Sequence, residues 1–401
     1  MKSPAAFWGM RFGSIVLGLA FCYGIHLLGG VMDAFSYRIL VLCGLYVTLT
    51  VSLNLINGIT GQFSLGHAAF YQVGAYGAGY LTVSFYNQSN LDTIPWLLLM
   101  LVAGGLMAAL AGLLVGLPSL RLKGDYLAIV TLGFGEIIRI AVINTKEVGQ
   151  AYGMNVTPGI KAPWLVWLLA LCCIAVCRNL LKNAHGLPFL GVREDEVASG
   201  AMGVNNTNVK VAAFIIGAAF AGAAGCLLAH QEGFVTPDLF KMETSIMVLT
   251  MVVLGGSGSI TGSVIAAIFL TILPEWLRNL KDASGQPFQV HLGAIIGVVV
   301  ALAAFVILCR WVKDKSHTEG MKKVGFYSGV VAGSVALAII IGLILGNIPI
   351  LGGTSFGVGE LRMSIFAIIL IVVMLIRPEG VLGHHEFAWS LFKKKPQGAT
   401  A

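Results

Sequence analysis

The chain has 401 residues, of which 57% are hydrophobic and only 11% charged, with a mean hydropathy of +0.88. Soluble domains carry about 25% charged residues, so a soluble globular fold is excluded and lipid must solvate most of the surface. The formal net charge of +7 sits in short stretches between apolar runs, which fits anionic lipid headgroups and not nucleic acid.

In chain order, Lys2 and Arg11 precede an apolar run too long for an ordinary signal peptide and without a small-x-small cleavage site. It reads as a retained first span. Apolar stretches long enough to cross about 30 Å of hydrocarbon lie near 13–31, 37–56, 66–86, 95–117, 124–144, 163–181, 210–230, 291–312, 325–346 and 361–377. The region 244–277 is also apolar but is interrupted by Gly255-Gly256-Ser257-Gly258-Ser259. It either crosses once as a broken helix or enters and returns as a hairpin. The positive-inside rule favours the hairpin, because a single crossing would place the basic Arg310–Lys323 loop outside. The predicted fold is therefore all-α and polytopic, with about ten transmembrane helices, a Gly-rich re-entrant hairpin and both termini cytoplasmic.

Seven cysteines lie in or beside apolar runs without disulfide-framework spacing. Cys173 and Cys177, one turn apart, lack a nearby histidine or carboxylate partner. They read as packing residues, and no metal site or cofactor is expected.

Polar residues within or beside spans carry the functional expectations. Gln62, Ser64 and His67 lie in the glycine-rich stretch 57–67 and read as groups facing an interior or cavity, with a structural histidine as the alternative. Gly74, Ala78 and Gly79 are explained by close helix packing alone. Glu136 and Arg139, at i and i+3 in the middle of a span, predict an ion pair that is either functional or register-fixing. Asp125 opens that span, where a negative charge suits the helix dipole. Ser257 and Ser259 sit in the interrupted region, where freed backbone groups must be buried or line a wet path. Gly255-Gly256-Ser257-Gly258 also fits a G-x-S-G string with His291 downstream. No third orienting group accompanies it, so an intramembrane serine protease is a weak reading.

The segment 182–210 is the most polar loop. Arg193, Glu194, Asp195 and Glu196 are followed by the small residues Ala198, Ala201 and Gly203. Three acids there suit the start of a short helix, and the small residues leave a shallow surface that either docks into a partner or rests on the membrane. No Walker A sequence occurs, so ATP binding by that route is absent from this chain.

Several segments together resemble the permease subunit of ATP-binding-cassette importers for branched-chain amino acids. They are 54–70 with Gly74-Ala75-Tyr76, Gly124–Ala128 with Thr131–Arg139, and Arg193–Glu196 through Asn205. Pro237, Ser245-Ile246, Gly255–Ser259 with Gly262, and Leu375–Gly383 continue the likeness. The resemblance implies a non-enzymatic permease in a prokaryotic inner or plasma membrane. Its expected partners are a similar second permease subunit, two cytoplasmic ATPase subunits and an external substrate-binding protein for leucine, isoleucine or valine. It also implies that 193–204 couples the permease to its ATPase. Urea and short-amide importers share much of the pattern and are the close alternative. A gradient-driven transporter is more distant, because Glu136 is the one acid deep in a span. The stretch from about Trp276 to Gly359 departs from the family pattern. The implied division is a permease core at 1–275, an inserted pair of spans at 276–360, and a last span with a basic tail at 361–401.

Overall fold

A computed structural model describes residues 4–89, 91–119, 125–278, 289–291 and 355–357. Among these, eleven α-helices account for nearly all regular structure. They are α1 (Pro4–Val31), α2 (Ala34–Asn54), α3 (His67–Phe85), α4 (Thr93–Ser119), α5 (Asp125–Asn144) and α6 (Pro163–Lys182). Then follow α7 (Leu187–Glu194), α8 (Glu196–Ala201), α9 (Asn206–Glu232), α10 (Met242–Gly255) and α11 (Ile260–Arg278). Helices cover all seven spans expected before residue 244 and both halves of the interrupted region. The spans expected near 291–312, 325–346 and 361–377 lie outside the described residues, as do the Arg310–Lys323 loop and the C-terminal tail.

Among the described residues, five helices are long and apolar enough to cross a bilayer: 34–59, 93–117, 126–144, 163–182 and 206–232. Helix α3, at 19 residues, is long enough at 1.5 Å per residue but carries His67, Gln72 and Thr82, all buried. It packs chiefly between α4 and α9, so its polar side chains face protein and not lipid. In α2 and its extension 78% of the apolar window is buried, and in α9 67%, against 17% in α5. The first two are thus the central helices and α5 is peripheral.

The chain divides into two compact units, residues 1–271 with 381–401, and residues 272–380. In the second, β3 (Gln289–His291) pairs antiparallel with β4 (Ser355–Gly357). The first unit holds the bundle. Its helix ends follow local chemistry: Asp33 caps α2 by accepting from the Ser36 amide at 3.3 Å, and Asn205 caps α9 through the Asn208 amide at 3.1 Å. Gly233 ends α9 in the left-handed conformation, with φ of 68°.

Helices α2 and α9 run antiparallel. At one end, Tyr37 donates to Gln231 at 3.0 Å and Arg38 to Glu232 at 2.9 Å. There β1 (Met154–Asn155) pairs with β2 (Phe234–Val235), and the Val156 and Ile160 amides donate to the Gly233 and His230 carbonyls, each at 2.8 Å. The other end carries α7 and α8.

Glycine contacts set the spacing of α3, α4 and α9. A β-carbon on Gly74 would lie 2.0 Å from the Gly222 carbonyl oxygen, and one on Gly222 only 2.2 Å from Ala108 Cβ and 2.6 Å from the Gly104 oxygen. One on Gly225 would fall 2.0 Å from the Tyr71 oxygen. These are backbone obstacles that cannot rotate aside, and close approach of this kind is how helices associate where lipid removes the hydrophobic drive. Gly74→Val should therefore lower unfolding free energy in mixed micelles by about 1–3 kcal/mol through overpacking. Gly133→Ala, whose β-carbon meets nothing within 4 Å, should stay within about 0.5 kcal/mol of the parent.

Candidate functional site

The site is built where α2 stops being an α-helix. Residues Leu55–Ile59 form a π-helical turn, wider than the α-helix before it, a feature that concentrates at functional sites. Thr60 closes the turn by donating its hydroxyl to the Ile56 carbonyl at 2.6 Å, and the Gln62 amide donates to the same carbonyl at 3.1 Å. Gly61 then turns the chain with φ of +69°.

Asn54, the last residue of α2, reaches across to the break between α10 and α11. Its Oδ1 accepts from the Gly258 amide at 2.8 Å, and its Nδ2 donates to the Ser259 carbonyl at 3.2 Å. Its carboxamide thus substitutes for a strand of backbone, satisfying groups that the broken helix releases. The approach is close: a β-carbon on Gly58 would lie 2.2 Å from the Gly258 nitrogen and 2.0 Å from Asn54 Oδ1. Gly256 and Gly258 hold φ of 110° and 96°, a region that only glycine adopts without strain. On either side of the break, a Gly262 β-carbon would meet the Gly255 oxygen at 2.0 Å, so this contact also admits no side chain.

Gln62, Ser64 and His67 come together around this corner. Asn57 clamps Ser64, accepting from its amide at 3.2 Å and donating to its carbonyl at 3.3 Å. The Ser52 hydroxyl donates to the Leu49 carbonyl at 3.0 Å, which leaves its oxygen to accept from His67 Nε2 at 2.9 Å. Gln62 Oε1, Ser64 Oγ and His67 Nδ1 are buried with no hydrogen-bond partner among the described residues. An unsatisfied buried polar atom costs about 1–3 kcal/mol, so three within six residues mark a place where the chain accepts a cost for polarity. Ser259 is buried and Ser257 half-buried. The Ser259 hydroxyl accepts from the Gly262 amide at 3.1 Å and so caps the start of α11.

Glu136 and Arg139 pair as expected, with Arg139 Nε 2.9 Å from Glu136 Oε1 and 3.0 Å from Oε2. They lie apart from the π-turn, on the least buried of the five spans. Even so the Glu136 side chain stays 43% exposed and that of Arg139 21%. A cleft of about 130 Å³ adjoins Glu136, lined by Leu65, Ala68 and Ala69 on one side and by Leu132 and Ser245 on others. Ser245 Oγ accepts from the Ala68 amide at 3.0 Å, so this cleft borders the first turn of α3, next to His67.

The 182–210 segment is two short helices, not one. Glu194 ends α7, while Asp195 caps α8 by accepting from the Val197 and Ala198 amides at 2.8 and 3.0 Å. Of the three acids, Asp195 and Glu196 stand at a helix start. Glu196 pairs with Lys210 of α9, and its carbonyl accepts from Asn206 Nδ2 at 2.6 Å. Arg193 pairs with Glu194 and turns inward, donating to the Gly58 carbonyl at 3.4 Å while its stem lies over Gly61. Ala198 is exposed, Val197 and Met202 are 76% and 85% exposed, and Gly203 ends the segment with φ of +87°.

The sequence reading missed Asn54, Asn57 and Ser52 as site residues. The signal was present, since all three are polar within or just beyond an apolar run. It also missed the buried network in which Thr82 Oγ1 meets His230 Nε2 at 2.9 Å and accepts from Trp96 Nε1 at 3.1 Å.

Long apolar helices, helix contacts made through glycine, and a broken helix pair clamped to a π-turn define a multi-pass membrane protein. The family described as the branched-chain amino acid transport system permease component matches residues 35–308, and the chain belongs to it. Over 275 residues it is 35% identical to the high-affinity branched-chain amino acid transport system permease protein LivM of Escherichia coli, covering 60% of this chain and 63% of that protein. The LivM of Salmonella typhimurium is 35% identical over 62% of this chain and 65% of its own length. The match thus spans just under two thirds of both LivM proteins. The permease protein LivH of Escherichia coli is 24% identical over 57% of this chain and 80% of its own. No solved structure matches the chain.

Arg139 gives the site its first test. Arg139→Leu leaves Glu136 unpaired within a span and should lower the fraction of chain that inserts and stays folded, since an unpartnered charge at membrane depth is costly. The exchange Glu136→Arg/Arg139→Glu should recover most of it. Protease protection in native membranes measures both; a swap as damaging as the single change would show that charge pairing is not what the two residues supply.

Proposed function

We propose that this chain is the permease subunit of an ATP-driven importer and that, with a similar second permease subunit, it forms the pathway for leucine, isoleucine and valine. The observation that carries the reading is the α7–α8 pair, seated on the π-turn corner at one end of the bundle with an exposed apolar face. Membership of the permease family supports it, and likeness to both LivM and LivH of one organism supports a pair of related subunits.

On this reading the α7–α8 end is cytoplasmic, both termini lie inside, and one of the two ATPase subunits docks on Val197, Ala198 and Met202. A soluble external binding protein delivers substrate at the end that carries β1 and β2. Helix α10, with 14 residues, is about 21 Å long at 1.5 Å per residue, short of the hydrocarbon thickness. This supports a re-entrant hairpin made with α11, one that enters from the β2 side and turns at 256–259. Residues 1–275 then form the permease core, 276–360 an inserted pair of spans, and 361–401 the last span and tail.

The orphaned polar atoms of Gln62, Ser64 and His67, with Ser257 and Ser259, line the pathway near its cytoplasmic mouth. The Glu136–Arg139 pair faces the second permease subunit or the pathway. A charged pair on so exposed a helix is costly against lipid, and a protein or aqueous neighbour removes that cost.

The test is uptake of labelled leucine by membranes holding this chain, the second permease, the ATPases and the binding protein. Uptake should require ATP, persist when an ionophore collapses ion gradients, and be competed by valine and not by urea. Competition by urea alone would move the assignment to the amide importers. Val197→Asp with Met202→Asp should leave the chain inserted while lowering uptake about ten-fold or more, as loss of a hot spot of about 1.4 kcal/mol or greater requires. Undiminished uptake would remove α7–α8 from the docking role.

A further inference from the structure

Two contacts of the π-turn meet at one residue. Arg193, at the inner side of the α7–α8 pair, donates to the Gly58 carbonyl at 3.4 Å and lays its stem on Gly61. Gly58 also touches the 256–259 loop, where the Gly258 nitrogen would stand 2.2 Å from any β-carbon placed on it. Asn54, one helical turn earlier, grips that loop with both ends of its carboxamide, through Gly258 and Ser259. We propose that Arg193, Gly58 and Asn54 form a mechanical linkage, so that displacement of α7–α8 repositions the 256–259 loop. Its transport consequence rests on the importer reading above, whereas the linkage itself does not.

The argument is one of stiffness at each joint. Gly58 and Gly258 meet backbone to backbone, so movement of one cannot be absorbed by rotation of a side chain between them. Asn54 holds the loop through two hydrogen bonds of opposite sense, which fix orientation as well as distance. The π-turn is the compliant element: its wider coil allows the corner to shift without unwinding α2, whose residues 47–54 are all buried. The loop can answer such a shift, because Gly256 and Gly258 occupy conformations in which φ and ψ are soft for glycine. On the other side, α8 is anchored to the start of α9 through the Glu196–Lys210 pair and the Asn206 bond. A push on α7–α8 is therefore shared between α9 and the π-turn. Arg193 and Asn54 act as positioning residues, with no contact to substrate required.

The linkage is tested first on this chain alone in membranes. Ser257→Cys places a thiol in the half-buried loop, and its reaction rate with a maleimide is measured against the chain without that substitution. Arg193→Ala, which removes no contact to Ser257, should raise the rate at least about five-fold, an energy near 1 kcal/mol by the logarithmic relation. Asn54→Ala should raise it at least as much, and the double variant no more than the larger single effect. Rates unchanged by Arg193→Ala, or effects that multiply in the double variant, would overturn the linkage. Arg193 lies in a half-exposed segment, so the test holds even where Asn54→Ala fails to insert.

The assembled transporter in liposomes gives the second readout. Asn54→Ala should cut uptake about ten-fold while ATP hydrolysis stays within about two-fold of the parent, a 1.4 kcal/mol effect on coupling alone. Parallel loss of hydrolysis and uptake, or loss of neither, would also overturn the linkage. If the parent complex shows no ATP-dependent uptake while the labelling effects appear, the importer reading fails and the linkage stands.

Discussion

Backbone that leaves helical geometry within a bilayer must find its hydrogen-bond partners in protein, and Asn54 is where this chain supplies them. At membrane depth a backbone amide or carbonyl left bare costs several kcal/mol, and here the Gly258 amide and the Ser259 carbonyl are both paired. One carboxamide, offering an acceptor and a donor side by side, satisfies both. That solution dictates much of what surrounds it. Asn54 must sit at the end of α2 so that its side chain extends beyond the helix. Gly58 must lack a side chain so that the loop can approach. The π-turn then redirects the chain toward α3, and Gly61 accommodates the sharp reversal.

Around this corner the bundle is held by two different kinds of contact. At the end that carries β1 and β2, side chains and strand pairs bridge α2, α9 and the 145–162 loop. At the α7–α8 end the close backbone approach of Gly58 to Gly258 is joined by side-chain bonds to backbone from Asn54 and Arg193. Between the two lies the α3–α4–α9 core, where glycines set the interaxial spacing and the Thr82–His230–Trp96 network satisfies its own polar groups. Polar residues in that network resemble candidate site residues by composition. What separates them from Gln62, Ser64 and His67 is satisfaction: the network is closed, whereas the corner leaves acceptors and donors unused.

Much of this was legible in the sequence because lipid imposes a strong length rule. Apolar runs of about 20 residues gave helices at the places expected, and the Gly255–Ser259 interruption fell at the observed break. The Glu136–Arg139 pair followed from spacing alone, since i and i+3 share a helix face. Asn54 was harder to see because its partners are some 200 residues away and are backbone groups without residue identity. The π-turn left no mark in composition. Nor did the inward turn of Arg193, which sits in a charged run that reads equally well as a solvated face. The acids at 194–196 were expected to start one helix; the Asp195 cap instead divides the segment into two.

Helix α5 shows why burial and charge must be read together. Among the five long apolar helices of the described residues it is the one least covered by its own chain, with Tyr126, Ile129 and Ile137 well exposed, as a lipid-facing helix would be. Yet it carries an ion pair that retains considerable exposure. An apolar face and a charged face on one exposed helix have two different neighbours, because no single solvent suits both. Lipid satisfies the first. The second needs protein or water, and a mostly apolar cleft beside Glu136 leads from it to the first turn of α3. The pair and the cluster are therefore separate in contact, with the first turn of α3 between them.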